Sequence, residues 1–159
     1  MIGNLEIFGQ LLLAALLGSL IGLERKLARK GAGIRTFALV ALGACLFSLI
    51  SVSIVKSFPN MERSFDPSRI ASQVVVGIGF IGAGVIIFQK SSVRGLTTAA
   101  GMWVSGAIGM AVAYKMYGIA IFTTFLTIAI LVMVWFLEDW IVKRVISYRE
   151  DSRGADQED

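Results

Sequence analysis

The side chains able to do chemistry in this chain are few, and they gather in three places. Glu24-Arg25-Lys26 follows a long apolar run and leads into Arg29, Lys30, Gly31, Gly33, Arg35 and Thr36. A carboxylate among guanidinium groups can form a fixed ion pair or take part in holding an anion. The same residues also suit an ordinary basic loop lying on anionic lipid, and both readings stand. Arg25, Arg29 and Arg35 are the available partners for Glu24, whose charge at a helix C-terminus opposes the helix dipole unless paired. The second place is Asp66-Pro67-Ser68-Arg69, with Gln73 one turn on. Asp is a preferred N-cap and Pro is favoured at the first helical position, so a cap is the simplest reading. Asp66, Arg69 and Gln73 would also adjoin one another at a helix end and could line an outer vestibule. The third is Arg94 with Thr97, Thr98 and Trp103. Either threonine can cap a helix there, and the Trp103 indole N–H needs a partner if buried.

Several chemistries are excluded by what is missing. The chain has no histidine, so His-based catalysis, His metal sites and His proton relays are ruled out. Cys45 is alone and cannot form an intrachain disulfide. No Gly-Lys-Ser/Thr occurs, so the chain carries no phosphate-binding loop of the Walker type. No nucleophile–base or metal-ligand set is evident, so the expectation is no enzyme and no cofactor. Mg²⁺ takes six oxygens in near-octahedral geometry. The candidate carboxylates, Glu24 and Asp66, fall on opposite sides of the membrane in the topology below. Glu6 could join Asp66 only if the helices bring them together. A dehydrated Mg²⁺ path is therefore not expected. Arg25, Arg35 and Arg94 share the inner side in that topology and suit an anion, a lipid headgroup or an acidic partner better than a divalent cation.

These groups are set among apolar segments. The chain is 56% hydrophobic, with a mean hydropathy of +0.77. Five runs lack Asp, Glu, Lys and Arg: Ile7–Leu23, Thr36–Val55, Ile70–Gln89, Gly95–Tyr114 and Met116–Leu137. Each has about the length a helix needs to cross the hydrocarbon core, and helices satisfy their own backbone groups there. The expected fold is all-α, a polytopic membrane protein of five transmembrane helices. With the N-terminus outside and the C-terminus inside, only Lys56, Arg63, Arg69 and Lys115 of the 15 Lys and Arg residues lie outside. The positive-inside rule selects that orientation. It also explains the net charge of +4 without nucleic acid. The first run lacks a basic leader and is followed by charge, so it is expected to be a retained span. Residues 1–147 form one transmembrane domain in this scheme. Glu138 to Ser147 continues as an interfacial helix, and 148–159 is a disordered cytoplasmic tail.

Small residues predict how the spans meet, because packing drives helix association in lipid. The stretch Asp66 to Ala113 is the expected centre, with the other segments around it. Gly77, Gly79, Gly82 and Gly84 either allow close packing or break helix 3 locally; a broken membrane helix lines a cavity or site. The GxGxxG pattern they contain has no strand–turn–helix context and does not indicate a nucleotide. Gly101, Ser105 and Gly109 make one smooth face of helix 4. Gly18 and Gly22 form a GxxxG pair, for packing within the monomer or for a homodimer. Tyr114, Lys115 and Tyr117 mark the outer interface, and helix 5 is expected to face lipid.

Three blocks resemble a known family. GLERKLARKGAGIRTFALVALGA (Gly22–Ala44), DPSRIASQVVVGIGFIGAGVII (Asp66–Ile87) and VRGLTTAAGMWVSGAIGMAVA (Val93–Ala113) are similar to the signatures of the MgtC/SapB membrane family. The matching positions are Glu24, Arg25, Gly33, Arg35 and Thr36, then Asp66, Arg69, Gln73 and the four glycines of helix 3. Arg94, Gly95, Thr97, Thr98 and Trp103 complete the set. Thr97 stands where MgtC-type members can carry Asn. The resemblance implies a multi-pass protein of the bacterial inner membrane. It further implies links to growth at low magnesium, virulence-related survival and restraint of ATP synthase, which makes ATP synthase a candidate partner. The expected form is the short one, without the family's C-terminal soluble domain. Two functions follow as expectations: a membrane modulator that binds another membrane protein or alters ion balance, or a transporter or channel for an ion or small solute.

Overall fold

The computed structural model describes residues 3–57, 66, 68–89 and 92–133. Among them are five helices and one short ribbon. Helix α1 is Asn4–Leu27, α2 is Ile34–Ser57 and α3 is Ser68–Ala83. Strands β1 (Ile87–Gln89) and β2 (Ser92–Arg94) precede α4, Leu96–Ala113. A final helix, α5, runs over Tyr117–Met133. The chain divides into two units, Met1–Thr127 and Ile128–Asp159; of the second, the described part is the helical end Ile128–Met133. Pro67, the expected interfacial helix at Glu138 to Ser147 and the expected tail at 148–159 lie outside the described residues.

Three helices are long and apolar enough to cross a membrane: α1, α2 over Ile34–Val55, and α4. Helix α3 ends before the apolar run does. The run Ile70–Gln89 was expected to be one span, but the helix stops at Ala83 and the chain becomes extended at Ile87. Of the two readings of the helix 3 glycines, the break applies at this end. The Gly84 and Val85 N–H groups turn back onto the Ile81 and Gly82 carbonyls, which tightens the last turn and closes the helix. Ile87–Gln89 and Ser92–Arg94 pair as an antiparallel ribbon, with Ile87 opposite Arg94, Phe88 opposite Val93 and Gln89 opposite Ser92.

The packing directions alternate. Gly22 meets Ile34 and Gly33, and Gly18 meets Phe37 and Ala41, so α1 and α2 are antiparallel. Gly101 lies on the Phe37 ring and Gly109 on Ala41, so α4 runs parallel to α2. Gly82 meets Ala99 and Gly106 meets Ile78, so α3 and α4 are antiparallel. One end of the bundle therefore holds the α1–α2 turn, the end of α3, the ribbon and the start of α4.

Helices α3 and α4 are neighbours, as expected, but they are not the centre. Helix α2 is, because both α1 and α4 close on it. The smooth face of α4 turns to α2, not α3: a Cβ on Gly109 would lie 2.1 Å from the Ala41 carbonyl oxygen, and Ser105 Oγ donates to the Phe37 carbonyl at 3.0 Å. The Gly18/Gly22 pair is used within the monomer, where a Cβ on Gly18 would lie 2.5 Å from the Phe37 oxygen. Phe37 and Ala41 are fully buried between these faces.

One further local expectation is corrected. Neither Thr97 nor Thr98 caps α4. Gly95 is its N-cap, in the left-handed region at φ 92° and with no side-chain cap. A side chain there would also meet the Val85 carbonyl, so glycine answers both conditions. The left-handed residue that closes α1 is Arg29 (φ 55°), and the chain bends again at Gly31 and Ala32 before α2. Arg29 N–H bonds to Lys26 O and Lys30 N–H to Arg25 O, the Schellman arrangement. Lys115 (φ 61°) repeats it at the end of α4, with Lys115 N–H on Val112 O and Met116 N–H on Ala111 O.

Candidate functional site

The ribbon end of the bundle is basic. Lys26, Arg29, Lys30, Arg35 and Arg94 are all exposed there. Glu24 is already taken: Arg25 Nε and Glu24 Oε2 form an ion pair, and Arg25 Nη2 donates to Glu24 Oε1 at 2.6 Å. Of the three partners expected for Glu24, Arg25 is therefore the one used, in a two-pronged geometry suited to a carboxylate. Arg25 is only 3% exposed, and its cationic group sits in the last turn of α1, where the helix dipole favours it. Arg29, Arg35 and Arg94 make no ion pair among the described residues. Thr98 is buried at the start of α4, whereas Thr97 is exposed. Trp103 is half exposed on α4, so its N–H is not confined to a protein partner.

The opposite end carries a different pair. Lys115 Nζ lies 2.5 Å from Glu6 Oε1, with both side chains part-exposed. The hydrogen bond to Glu6 pushes the Lys115 ammonium to a higher pKa, and the Glu6 charge adds to that. Glu6 thus pairs with Lys115. Just inside, Gln10 is 2% exposed and donates through Nε2 to Val112 O (2.8 Å) and Ala113 O (3.1 Å). These bonds pin the entry of α1 to the last turn of α4. Gln10 Oε1 is buried without a hydrogen-bond partner.

Asp66, Arg69 and Gln73 are all exposed. The Asp66 carbonyl accepts the Arg69 N–H at 3.2 Å, which opens α3; Pro67 lies outside the described residues. Gln73 is followed along the same side by exposed Gly77 and Phe80. The expected packing of Gly77 and Gly79 is not met among the described residues, where a Cβ on either would have nothing within 4 Å. Gly82 packs against Ala99 at ordinary contact distance, and Gly84 meets only the carbonyls of its own preceding turn. Helix α3 thus presents one side to α4 and leaves a face with an amide, a glycine and a phenylalanine open.

Sequence reasoning missed the backbone oxygens of Phe37 and Ala41, which receive the smooth faces, and the Glu6–Lys115 pair. Glycine and serine at every fourth position of α4 announced a close approach, but not its partner. Among the described residues, no three His, Cys, Asp or Glu side chains come together as metal ligands. A shallow recess of about 280 Å³ between α1 and α2 is lined mainly by Ile7, Leu46, Leu49, Ile50 and Ile54, with Ser53 and Ser57 at its edge. It brings no charged groups together.

Comparisons with known proteins identify the family. The model of the MgtC family matches residues 11–140. YhiD of Escherichia coli K12, whose name marks it as a candidate magnesium transporter, is 42% identical over 127 residues, 79% of this chain and 59% of YhiD. Protein SapB of Bacillus subtilis is 37% identical over 142 residues, 88% of this chain and 60% of SapB. Protein MgtC of Salmonella typhimurium is 51% identical over 100 residues, 63% of this chain and 40% of MgtC. The chain thus spans about 60% of the length of YhiD and SapB and less of MgtC. No solved structure matches. With three long apolar helices and a family match over most of its length, this chain is a membrane protein and belongs to the MgtC family.

Proposed function

We propose that this chain is a multi-pass modulator in the bacterial inner membrane, linked to magnesium and ion homeostasis, which acts by contact with another membrane protein. Five spans with the N-terminus outside suit the alternating helix directions and the basic ribbon end, which would face the cytoplasm. Helix α3 covers about 24 Å at 1.5 Å per residue, short of the roughly 30 Å hydrocarbon core. A span this short is met by local thinning of the bilayer.

The observation that carries the reading is the closure of α1 and α4 on the α2 backbone. With Gly18 and Gly109 set against the Phe37 and Ala41 carbonyls, the three helices touch backbone to backbone at these levels, and the recess between α1 and α2 has an apolar lining unsuited to an ion. The charges Glu24 and Glu6 are each matched by a neighbouring cation, an arrangement that favours fixed rims over a conducting path. The open α3 face supplies a place for a partner helix, because small and amide side chains favour helix association in lipid. Magnesium enters through the family: YhiD is named for its transport. ATP synthase is the partner to test.

The full chain in proteoliposomes is expected to give no protein-dependent Mg²⁺ or proton flux. ATP synthase reconstituted with it is expected to lose hydrolysis activity, and to regain it with Gln73→Leu or Phe80→Ala. Mg²⁺ flux abolished by Asp66→Ala or Arg35→Ala, with ATP synthase unaffected, would replace the modulator by a transporter. Cysteine accessibility from the two sides of the membrane tests the five-span topology.

A further inference from the structure

The β1–β2 ribbon is the one extended element among the described residues, and it stands where a helix end was expected. Its register puts Phe88 and Val93 on one face, and Ile87, Gln89, Ser92 and Arg94 on the other, since directly opposed residues share a side. Phe88 is 80% exposed, and Val93 is exposed beside it. A two-stranded ribbon satisfies only its inner backbone groups; the outer edge of each strand keeps unpaired N–H and C=O groups. Such edges are not tolerated in hydrocarbon without protein or water. The ribbon can therefore lie neither deep in the acyl region nor, with Phe88 bare, wholly in water. The headgroup layer meets both conditions, with the backbone hydrated and the apolar face turned inward.

Charge names the surface. Lys26, Arg29, Lys30, Arg35 and Arg94 are exposed at this end of the bundle, and Glu24 is neutralised by Arg25. Leu27 and Leu96 are also exposed here, at the end of α1 and the start of α4. Basic groups over an apolar rim suit anionic phospholipid.

We propose that the ribbon is a membrane foot: Phe88 and Val93 enter the acyl layer while Arg94 and its basic neighbours hold anionic phospholipid headgroups. The foot fixes the depth of the α3–α4 connection and makes it responsive to the lipid charge of that leaflet. This holds whether the protein is a modulator or a transporter.

The test uses the full chain in vesicles of phosphatidylcholine with phosphatidylglycerol. Spin labels are attached at Phe88→Cys or Ser92→Cys in a Cys45→Ala background, and collision with oxygen is compared with collision with a water-soluble nickel chelate. The label at 88 is expected to favour oxygen several-fold over the label at 92. Replacing phosphatidylglycerol by phosphatidylcholine, or adding Arg94→Gln, is expected to raise nickel access at 88. Equal nickel access at both positions, oxygen dominance at both, or indifference of position 88 to lipid charge and to Arg94→Gln would each overturn the proposal. If the labelled chains are not recovered, Phe88→Trp serves instead. Brominated lipid should quench its added fluorescence over that of the three native tryptophans, and no added quenching refutes the foot.

Discussion

Replacing Gly109 by alanine tests the packing on which the architecture rests. The new Cβ would stand 2.1 Å from the Ala41 carbonyl oxygen and 2.9 Å from its carbon, where real Cβ contacts almost never fall below 3.0 Å. The obstacle is backbone, so it cannot rotate away; α4 must withdraw from α2 by about 0.9 Å at this point. The same movement stretches the Ser105–Phe37 hydrogen bond, now 3.0 Å. Overpacking a tight interface costs about 1–3 kcal/mol, and a buried interhelical bond in a membrane about 0.6 kcal/mol. Against these stands a gain of about 1 kcal/mol from alanine's helix propensity. A clash this short belongs in the upper half of the range, at about 2.5 kcal/mol, so the net loss is about 2 kcal/mol, or roughly 30-fold in the opening equilibrium at 1.4 kcal/mol per decade. Cys45, fully buried on α2, supplies the assay, since its maleimide labelling in mild detergent reports opening. Labelling should rise by about that 30-fold factor in Gly109→Ala. Gly77→Ala is the matched control, because its Cβ meets nothing within 4 Å; labelling should be unchanged or slower. Equal labelling of Gly109→Ala and the unsubstituted chain would refute the α2–α4 packing described above.

Three further outcomes are expected. Glu24→Gln leaves the nearly buried Arg25 guanidinium without its carboxylate and should lower stability by about 3 kcal/mol, as breaking buried pairs does; adding Arg25→Gln should restore part of it, read by thermal unfolding in detergent. Arg29→Gly should raise stability by about 1 kcal/mol, because Arg29 occupies the left-handed region (φ 55°) that costs an L side chain about that much; a lower midpoint would refute the turn geometry. The Glu6–Lys115 pair predicts a loss on the alkaline side. Lys115 has its pKa raised above 10.5 by the Glu6 hydrogen bond. Its contribution is complete below that value and fades as pH rises through the higher folded value. Glu6→Gln should flatten the stability profile above pH 10.5, and an unchanged slope there would show that the pair does not form.

Much of the arrangement was legible before any coordinates. Apolar runs of spanning length give helices, because a helix leaves no backbone group unpaired in lipid. The motif blocks at Gly22–Ala44, Asp66–Ile87 and Val93–Ala113 were enough to bring the MgtC family to mind. Glycine and serine at positions 101, 105 and 109 announced a close approach. Identity of the partner was not legible, because what receives these residues is the carbonyl oxygen of Phe37 and of Ala41, and every residue has a carbonyl. The expected central pair of helices 3 and 4 failed for this reason: small residues say that something comes near, not which neighbour it is.

The end of α3 shows the same division. An uninterrupted apolar run from Ile70 to Gln89 suits a span of either kind of backbone at its last turn. The bonds of Gly84 and Val85 back onto Ile81 and Gly82, and the close passage of Gly95 under Val85, turn that end into a ribbon. Hydropathy and charge order thus determined that this chain enters lipid, in helices, with one basic rim. Tertiary contact alone decided that α2 is the axis, that Arg25 rather than Arg35 neutralises Glu24, and that α3 keeps a face open. Those outcomes depend on which backbones can approach within a few ångströms, a property of pairs of segments that no single segment carries.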